Sequence, residues 1–217
     1  MIDPTTLPCD CCTGIGEQTP ALIWNRPGLS AIAYRVGTHA SFKASMLGAL
    51  SRPDFPALAP LTAREDDDFS LDATRIGQLL AVNLHAPLAI VHALLPRLIE
   101  TRGVVVLFGS VAAVRGRGRN VVYAGAKRAL VSLYESLRQR YASRELRVQM
   151  YKLGFLSTNL TYGTRLPLPA ADPQAVARTV VLSLRRGSFS RHLPRWWALV
   201  ALLVRWLPWP VYRRMKS

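Results

Sequence analysis

The most regular hydrophobic pattern lies in the second half of the chain. Val104 to Phe108 are five consecutive apolar residues between glycines, a run typical of a strand buried on both faces of a parallel sheet. Apolar residues recur every three or four positions from Ile76 to Leu98, which predicts one long helix. Leu146 to Tyr151 predicts the next strand. Helices and strands therefore alternate as in α/β proteins.

A further helix is predicted after this strand. Asp172 and Pro173 have the residue types of an N-cap and a first helical position, because Asp accepts from free N–H groups and Pro needs no donor there. The helix is expected to continue from Gln174 to Leu184 and to end near Gly187.

The first 73 residues have a different character. Residues 1–30 contain too many Pro and Gly for regular elements. Leu29 to Leu50 predicts a long amphipathic helix or a helix pair, and Ser51 to Asp72 predicts a loop with a solvated acidic run. Thr13 to Gly16 resembles the tail of a glycine-rich phosphate loop. We reject that interpretation because no strand precedes it and no helix follows it.

Charge separates the same two parts. Up to Ala73 there are 5 Lys and Arg against 9 Asp and Glu, whereas from Thr74 onward there are 23 against 4. We therefore expect three units: residues 1–73 of separate origin, an α/β unit over 74–187, and a Trp- and Arg-rich tail over 188–217. The basic excess does not indicate nucleic-acid binding, since no zinc-finger motif, RNA-binding motif or aromatic-interleaved basic stripe is present.

The cysteines do not indicate a metal site. Cys9, Cys11 and Cys12 lie close together, but a fourth ligand at suitable spacing is missing and the nearest His, His39, stands alone. We expect reduced cysteines and no bound metal. Residues 1–20 lack the basic and apolar regions of a signal peptide, so a cytoplasmic location is expected.

Candidate chemistry is concentrated around the apolar strand. The run Val104 to Phe108 ends at Gly109-Ser110, which puts a hydroxyl at the carboxyl end of a strand, where open α/β sheets bind ligands. Tyr123 and Lys127 are four residues apart and share a helix face. An ammonium one turn away favours the phenolate form of Tyr123. The pair could therefore donate and accept a proton near neutral pH.

With Asn83, these three residues resemble the catalytic tetrad of the short-chain dehydrogenase/reductase family. The resemblance rests on a Val-rich strand ending in Gly-Ser, an Arg-Gly-Arg loop, the segment Asn120-Val-Val-Tyr-Ala-Gly-Ala-Lys, and Asn83 placed 27 residues before Ser110. Leu153 to Thr158 looks like the family's Pro-Gly-x-x-x-Thr segment, with Leu153 in the place of Pro. It implies a doubly wound, Rossmann-like parallel sheet.

The resemblance also implies roles in hydride transfer between NAD or NADP and a small carbonyl or alcohol. Tyr123 would be the acid and base, and Lys127 would support its phenolate and hold the nicotinamide ribose. Ser110 would bond the substrate oxygen, and Asn83 would order a water that relays protons. Gly154 and Thr158 would lie beside the nicotinamide.

Parts of the family's pattern are missing. No strand, glycine-rich turn and crossover helix precede Asn83, and Leu58 to Leu61 stand where the family has Asn-Ala-Gly. The expected sheet is therefore incomplete, lacking its first βαβ units, and a catalytically inactive fusion or truncated remnant is an alternative. Residues 9–73, above all Asn25 to His39, resemble the N-terminal region of baseplate-assembly-like phage-tail proteins, which gives a structural component as a third option.

The C-terminal tail suggests a membrane. The apolar run Trp196 to Val204 is far shorter than the ~20 residues that cross a bilayer. Trp, Tyr and Arg around it are typical of a helix lying in the membrane interface. We expect peripheral contact through residues 194–214 at the inner face of the membrane; the alternative is a tail that packs into a groove of a homo-oligomer. Family members with such tails look like those acting on lipid-linked sugars or other lipidic substrates.

Overall fold

The computed structural model describes residues 22–26, 29–33, 57–58, 69–141, 146–157 and 166–215. Its strands are β1 (Leu22–Arg26), β2 (Leu29–Ala33), β3 (Ala57–Leu58), β4 (Val104–Ser110), β5 (Arg147–Leu153) and β6 (Phe189–Leu193). Its α-helices are α1 (Ala73–Leu80), α2 (Ala86–Glu100), α3 (Val121–Arg140), α4 (Pro173–Ser183), α5 (Trp197–Trp206) and α6 (Trp209–Tyr212).

The centre of the fold is a parallel sheet of order β3-β4-β5-β6. Strands β4, β5 and β6 end in register, because Ser110 lies opposite Leu153 and Leu153 lies opposite Leu193. The carboxyl ends of these three strands therefore form one edge. A Rossmann-like α/β fold is confirmed, and the described part of the sheet begins with the two-residue strand β3.

Helices cover both faces of β4, as the unbroken apolar run predicted. Val104, Val106 and Phe108 face a core cluster that α4 completes, whereas Val105 and Leu107 face a second cluster that α2 and α3 complete. All five side chains are at most 5% exposed. Because helices cover both faces of β4, side chains on either face are buried, and no polar residue alternates with the apolar ones.

The predicted long helix is present, with an interruption. Helices α1 and α2 are joined by a π-helical turn, Ala81–His85, into one run of 28 residues. By length and composition this run could cross a membrane. Val91 and Leu98 of this run pack in the core against the sheet, whereas most of its other side chains are not buried.

The helix α4 begins as predicted. The Asp172 side chain accepts from the backbone N–H groups of Gln174 and Ala175, at 3.0 and 3.1 Å, and Pro173 occupies the first turn. These bonds satisfy two of the donors that a helix start leaves without partners.

Several expectations from the pattern differ from the structure. The strand Leu22–Arg26 lies within residues 1–30, where no regular element was expected. Leu29–Ala33 is a strand, paired antiparallel with Leu22–Arg26, so a helix over Leu29 to Leu50 is wrong at its start, and residues 34–50 lie outside the described part. Ile23 and Trp24 in β1, and Ile32 of β2 opposite Ile23, are residue types that suit a hairpin. The strands β3 and β6 were not predicted, because one is two residues long and the other contains Arg191 and His192.

Candidate active site

Ser110 lies where the sequence places it, at the last position of β4. Its Oγ accepts from the Ala112 N–H at 3.1 Å and so caps a 3₁₀ turn, Val111–Ala113. The residue is partly buried. Its hydroxyl hydrogen is not needed for this cap, so Ser110 can still donate to an oxygen at the sheet edge.

Tyr123 and Lys127 lie in the first two turns of α3. Asn120 precedes the helix in the left-handed conformation (φ 60°), which Asn tolerates better than most residues. The Lys127 Nζ lies 5.7 Å from the centroid of the Tyr123 ring. The two side chains therefore lie close together on one face of the helix, as their spacing predicted.

Lys127 is a buried cation. Its side chain is 2% exposed, and within the described residues its one hydrogen bond runs to the Phe108 carbonyl at 3.5 Å. Burial lowers the pKa of Lys127 from 10.5 to about 8, because desolvation penalises the charged form. The bond to Phe108, two residues before Ser110, places the ammonium beside the end of β4.

Asn83 lies in the π-helical turn and is completely buried. Its Nδ2 donates to the Leu79 carbonyl at 3.0 Å. Pro87 has no N–H to donate to the carbonyl four residues earlier, which is that of Asn83, and a π turn is one way for a helix to accommodate such a gap. The turn contacts α3, the helix that carries Tyr123 and Lys127.

Gly154 follows β5 at the same edge of the sheet, and its N–H donates to the Leu193 carbonyl at 2.9 Å. The indole of Trp197 packs directly on it: a Cβ at this position would lie 1.9 Å from Trp197 Nε1. Only glycine permits this approach. Thr158, the other residue expected near a nicotinamide, lies outside the described residues.

The sequence did not point to Trp197 as a neighbour of this edge. The side chain is 4% exposed, and its Nε1 has no hydrogen-bond partner within the described residues. Its ring meets Phe155 edge-on at 5.2 Å and stacks on Trp196 at 4.8 Å. The sequence feature that could have indicated this contact is the tryptophan pair Trp196-Trp197. It follows β6 closely, so that the chain can fold back over the end of β5.

The described residues contain no group of three or more His, Cys, Asp and Glu side chains that could hold a metal ion. What the edge does offer is a hydroxyl, a phenol and a buried ammonium. Such a set can bond a carbonyl or alcohol oxygen and transfer a proton to or from it.

Comparison with known proteins decides the family. The model of the short chain dehydrogenase family matches residues 61–167, and a relative from Xanthobacter autotrophicus, the inactive 2-(S)-hydroxypropyl-CoM dehydrogenase 2, is 30% identical over 159 residues. That match covers 69% of this chain and 68% of the relative. The chain belongs to the short-chain dehydrogenase family.

Two further proteins are similar to this chain. Carbonyl reductase family member 4 of Xenopus tropicalis is 28% identical over 127 residues, so the chain spans about half of its length, 54%. A short chain dehydrogenase from Burkholderia cenocepacia, solved in complex with NADP, superposes with a TM-score of 0.63 at 17% identity and covers 81% of this chain and 75% of its own. This second likeness supports the fold.

Proposed function

We propose that this short-chain dehydrogenase is an NAD(P)-dependent oxidoreductase that interconverts a carbonyl and an alcohol. The observation that carries the proposal is the buried Lys127 ammonium beside the Tyr123 ring, bonded to the end of the strand that presents Ser110. Burial of a cation is costly, and Lys127 is buried here beside a phenol whose ionised form it would support.

Each residue of the tetrad has a separate role in this proposal. Tyr123 donates its phenolic proton to the carbonyl oxygen during reduction and takes a proton from the alcohol during oxidation. Ser110 donates a hydrogen bond to that oxygen and orients it. Lys127 stabilises the phenolate that reduction leaves behind. Asn83, held in the π turn, positions the water through which Tyr123 and Lys127 exchange protons with solvent.

The chain offers donors suited to the nicotinamide half of the cofactor. Lys127 has N–H donors beyond the one given to Phe108, and these fit the hydroxyls of a ribose. Tyr123 would share that ribose, while Gly154 and Thr158 would lie beside the nicotinamide ring. Bound NAD or NADP would supply or accept the hydride. The solved relative from Burkholderia cenocepacia is bound to NADP. We propose a nicotinamide cofactor here without choosing between NAD and NADP, which differ in the 2′-phosphate.

A non-catalytic role is the second candidate, and two observations favour it. The sequence ahead of Asn83 has no recognisable glycine-rich dinucleotide-binding motif. The relative from Xanthobacter autotrophicus is itself described as inactive. In this case the domain would act by binding a partner. The resemblance of residues 9–73 to phage-tail proteins stays a prediction, and it would make this chain a structural component of such an assembly.

Turnover by the whole chain separates the two candidates. Oxidation of NADPH and NADH, followed by the absorbance of the reduced nicotinamide with a panel of aldehydes and ketones, should be measurable in the parent and lost in Tyr123→Phe. Calorimetric binding of the dinucleotide should survive this substitution, because it removes only one hydroxyl. Tyr141→Phe, at the end of the same helix, is the matched control and should leave turnover unchanged. Equal rates for the parent and Tyr123→Phe would refute the oxidoreductase proposal.

We also propose peripheral contact with a membrane through residues 194–214, at the inner face. Large apolar side chains of α5 and α6 are exposed, with Trp206 at 75% and Trp209 at 64%. Sedimentation with lipid vesicles tests this, and Trp206→Ser should weaken it. Leu80 and Leu88 of the 28-residue helical run are also exposed, and a homo-oligomer formed through them would be seen by light scattering.

A further inference from the structure

Arg115 joins the C-terminal helices to the loop between Ser110 and Tyr123. Its Nη1 donates to the carbonyls of Val204, at 3.3 Å, and Leu207, at the end of α5. The same guanidinium lies 4.0 Å from the centroid of the Tyr212 ring. An arginine can bond the last carbonyls of a helix and stack on an aromatic ring at once, because its donors lie in the plane of the group.

Tyr212 provides a second link to the same loop. Its hydroxyl donates to the Gly116 carbonyl at 2.5 Å, and its side chain is 9% exposed. Val114 is tied to α3 in turn, since its carbonyl accepts from Arg128 at 3.3 Å. The segment 111–120 is therefore held on one side by the C-terminal helices and on the other by the helix that carries Tyr123.

This segment is the connection between the two ends of the candidate active site. It starts at Ser110 and ends at Asn120, the residue that precedes the Tyr123 helix. A shift of the segment changes the distance between the Ser110 hydroxyl and the Tyr123 phenol. Misplacement of reacting groups by about 1 Å can reduce a rate on the order of a hundredfold.

The opposite side of α5 and α6 is apolar and faces outward. Leu199, Leu202, Leu203, Trp206 and Trp209 are each more than half exposed. Monomeric proteins seldom expose so many large apolar side chains together without a partner.

The charge around this surface identifies the partner. Residues 188–217 contain six Lys and Arg and no Asp or Glu, and Arg205, Arg213 and Arg214 are exposed on α5 and after α6. Tryptophans at an apolar boundary, ringed by arginines, match the acyl chains and anionic headgroups of a lipid surface. A protein partner would need acidic and apolar groups in matching positions, whereas an anionic bilayer supplies both anywhere on its surface.

We propose that docking of α5 and α6 on an anionic bilayer is transmitted to the active site through Arg115, a positioning residue, so that the enzyme works on a carbonyl or alcohol held at the lipid surface. The inference rests on the proposed oxidoreductase function and membrane contact. Lipid binding restrains α5 and α6, and their bonds to segment 111–120 restrain the loop. Because coupling of two binding events is reciprocal, occupation of the site also strengthens lipid binding.

Amide hydrogen exchange with and without vesicles of phosphatidylcholine and phosphatidylglycerol tests the inference on the whole chain. Exchange over residues 111–120 should slow by at least about fivefold when the parent binds vesicles. In Arg115→Ala the vesicles should still bind, but exchange of this segment should no longer respond. Arg119→Ala, an exposed arginine in the same segment, is the matched control and should behave as the parent. Tyr212→Phe, which removes only the bond to Gly116, should respond by an intermediate amount.

Three outcomes overturn the proposal: a parent that does not sediment with anionic vesicles, a parent that sediments without slower exchange in 111–120, and an Arg115→Ala variant that responds as the parent does. None of these readouts depends on turnover. Reduction of a water-soluble aldehyde in lipid-free buffer tests the oxidoreductase function alone, so the two proposals can fail separately.

Discussion

Replacement of Lys127 by Met should stabilise the domain while it abolishes activity. Burial lowers the pKa of Lys127 from 10.5 to about 8, and each pKa unit corresponds to about 1.4 kcal/mol. The folded protein therefore bears a cost of about 3 kcal/mol for keeping this side chain charged at pH 7. Met has a similar length and no charge, and it fills the same space between α3 and β4.

The stability gained by Lys127→Met depends on pH through the pKa values of Lys127 in the folded and in the unfolded chain. Below pH 8 the lysine is protonated in both the folded and the unfolded chain, so the full cost is present. Between pH 8 and 10.5 the folded chain loses the proton first, and the free energy of unfolding of the parent rises. The advantage of Lys127→Met should thus be about 3 kcal/mol at pH 7, about 2 at pH 9 and below about 1 at pH 10.

Urea unfolding followed by circular dichroism at these pH values measures the difference directly. Lys152→Met is the matched control, because Lys152 is the other lysine that the structure describes and is only partly buried. Its effect on the free energy of unfolding at each pH is the baseline for the Lys127→Met series. A Lys127→Met advantage that is absent at pH 7, or that stays the same up to pH 10, would show that Lys127 is not a buried charge.

Three further substitutions test the surroundings of the site. Gly154→Ala should destabilise the domain by about 1–3 kcal/mol because its Cβ would meet Trp197, and Trp197→Leu in the same chain should recover much of that loss; additive effects in a double-mutant cycle would refute the contact. Asp172→Ala should lose about 1 kcal/mol in urea unfolding by removing the cap of α4; no change would mean that the cap is not formed. Gln149→Leu should lose at least about 2 kcal/mol, since its Nε2 donates to the buried Ser183 carbonyl at 2.8 Å; a neutral result would contradict that bond.

The elements with strong, long patterns were predictable. Val104–Phe108 is short, rich in Val and bounded by glycines, which favours a buried strand over a segment of a buried helix. The spacing of Tyr123 and Lys127 likewise fixed their common helix face. The strand β6 was not predictable in this way, because Arg191 and His192 interrupt its pattern and its pairing with β5 is a long-range choice.

Geometry within elements was less accessible than their existence. Periodicity predicts a helix around Asn83 but cannot distinguish an α turn from the π turn that buries this side chain. The packing of Trp197 on Gly154 and the reach of Arg115 to α5 join residues far apart in the chain. Such contacts depend on how the elements are placed on the sheet, which no local pattern records.

In the proposed site, Lys127 and Tyr123 form the nicotinamide end. Calorimetric titration of the whole chain with NADPH and with NADH measures whether that end binds a cofactor. We expect binding of at least one dinucleotide at a single site, weakened strongly in Lys127→Met and retained in Lys152→Met. The absence of binding by either dinucleotide, or equal binding by the parent and Lys127→Met, would contradict it.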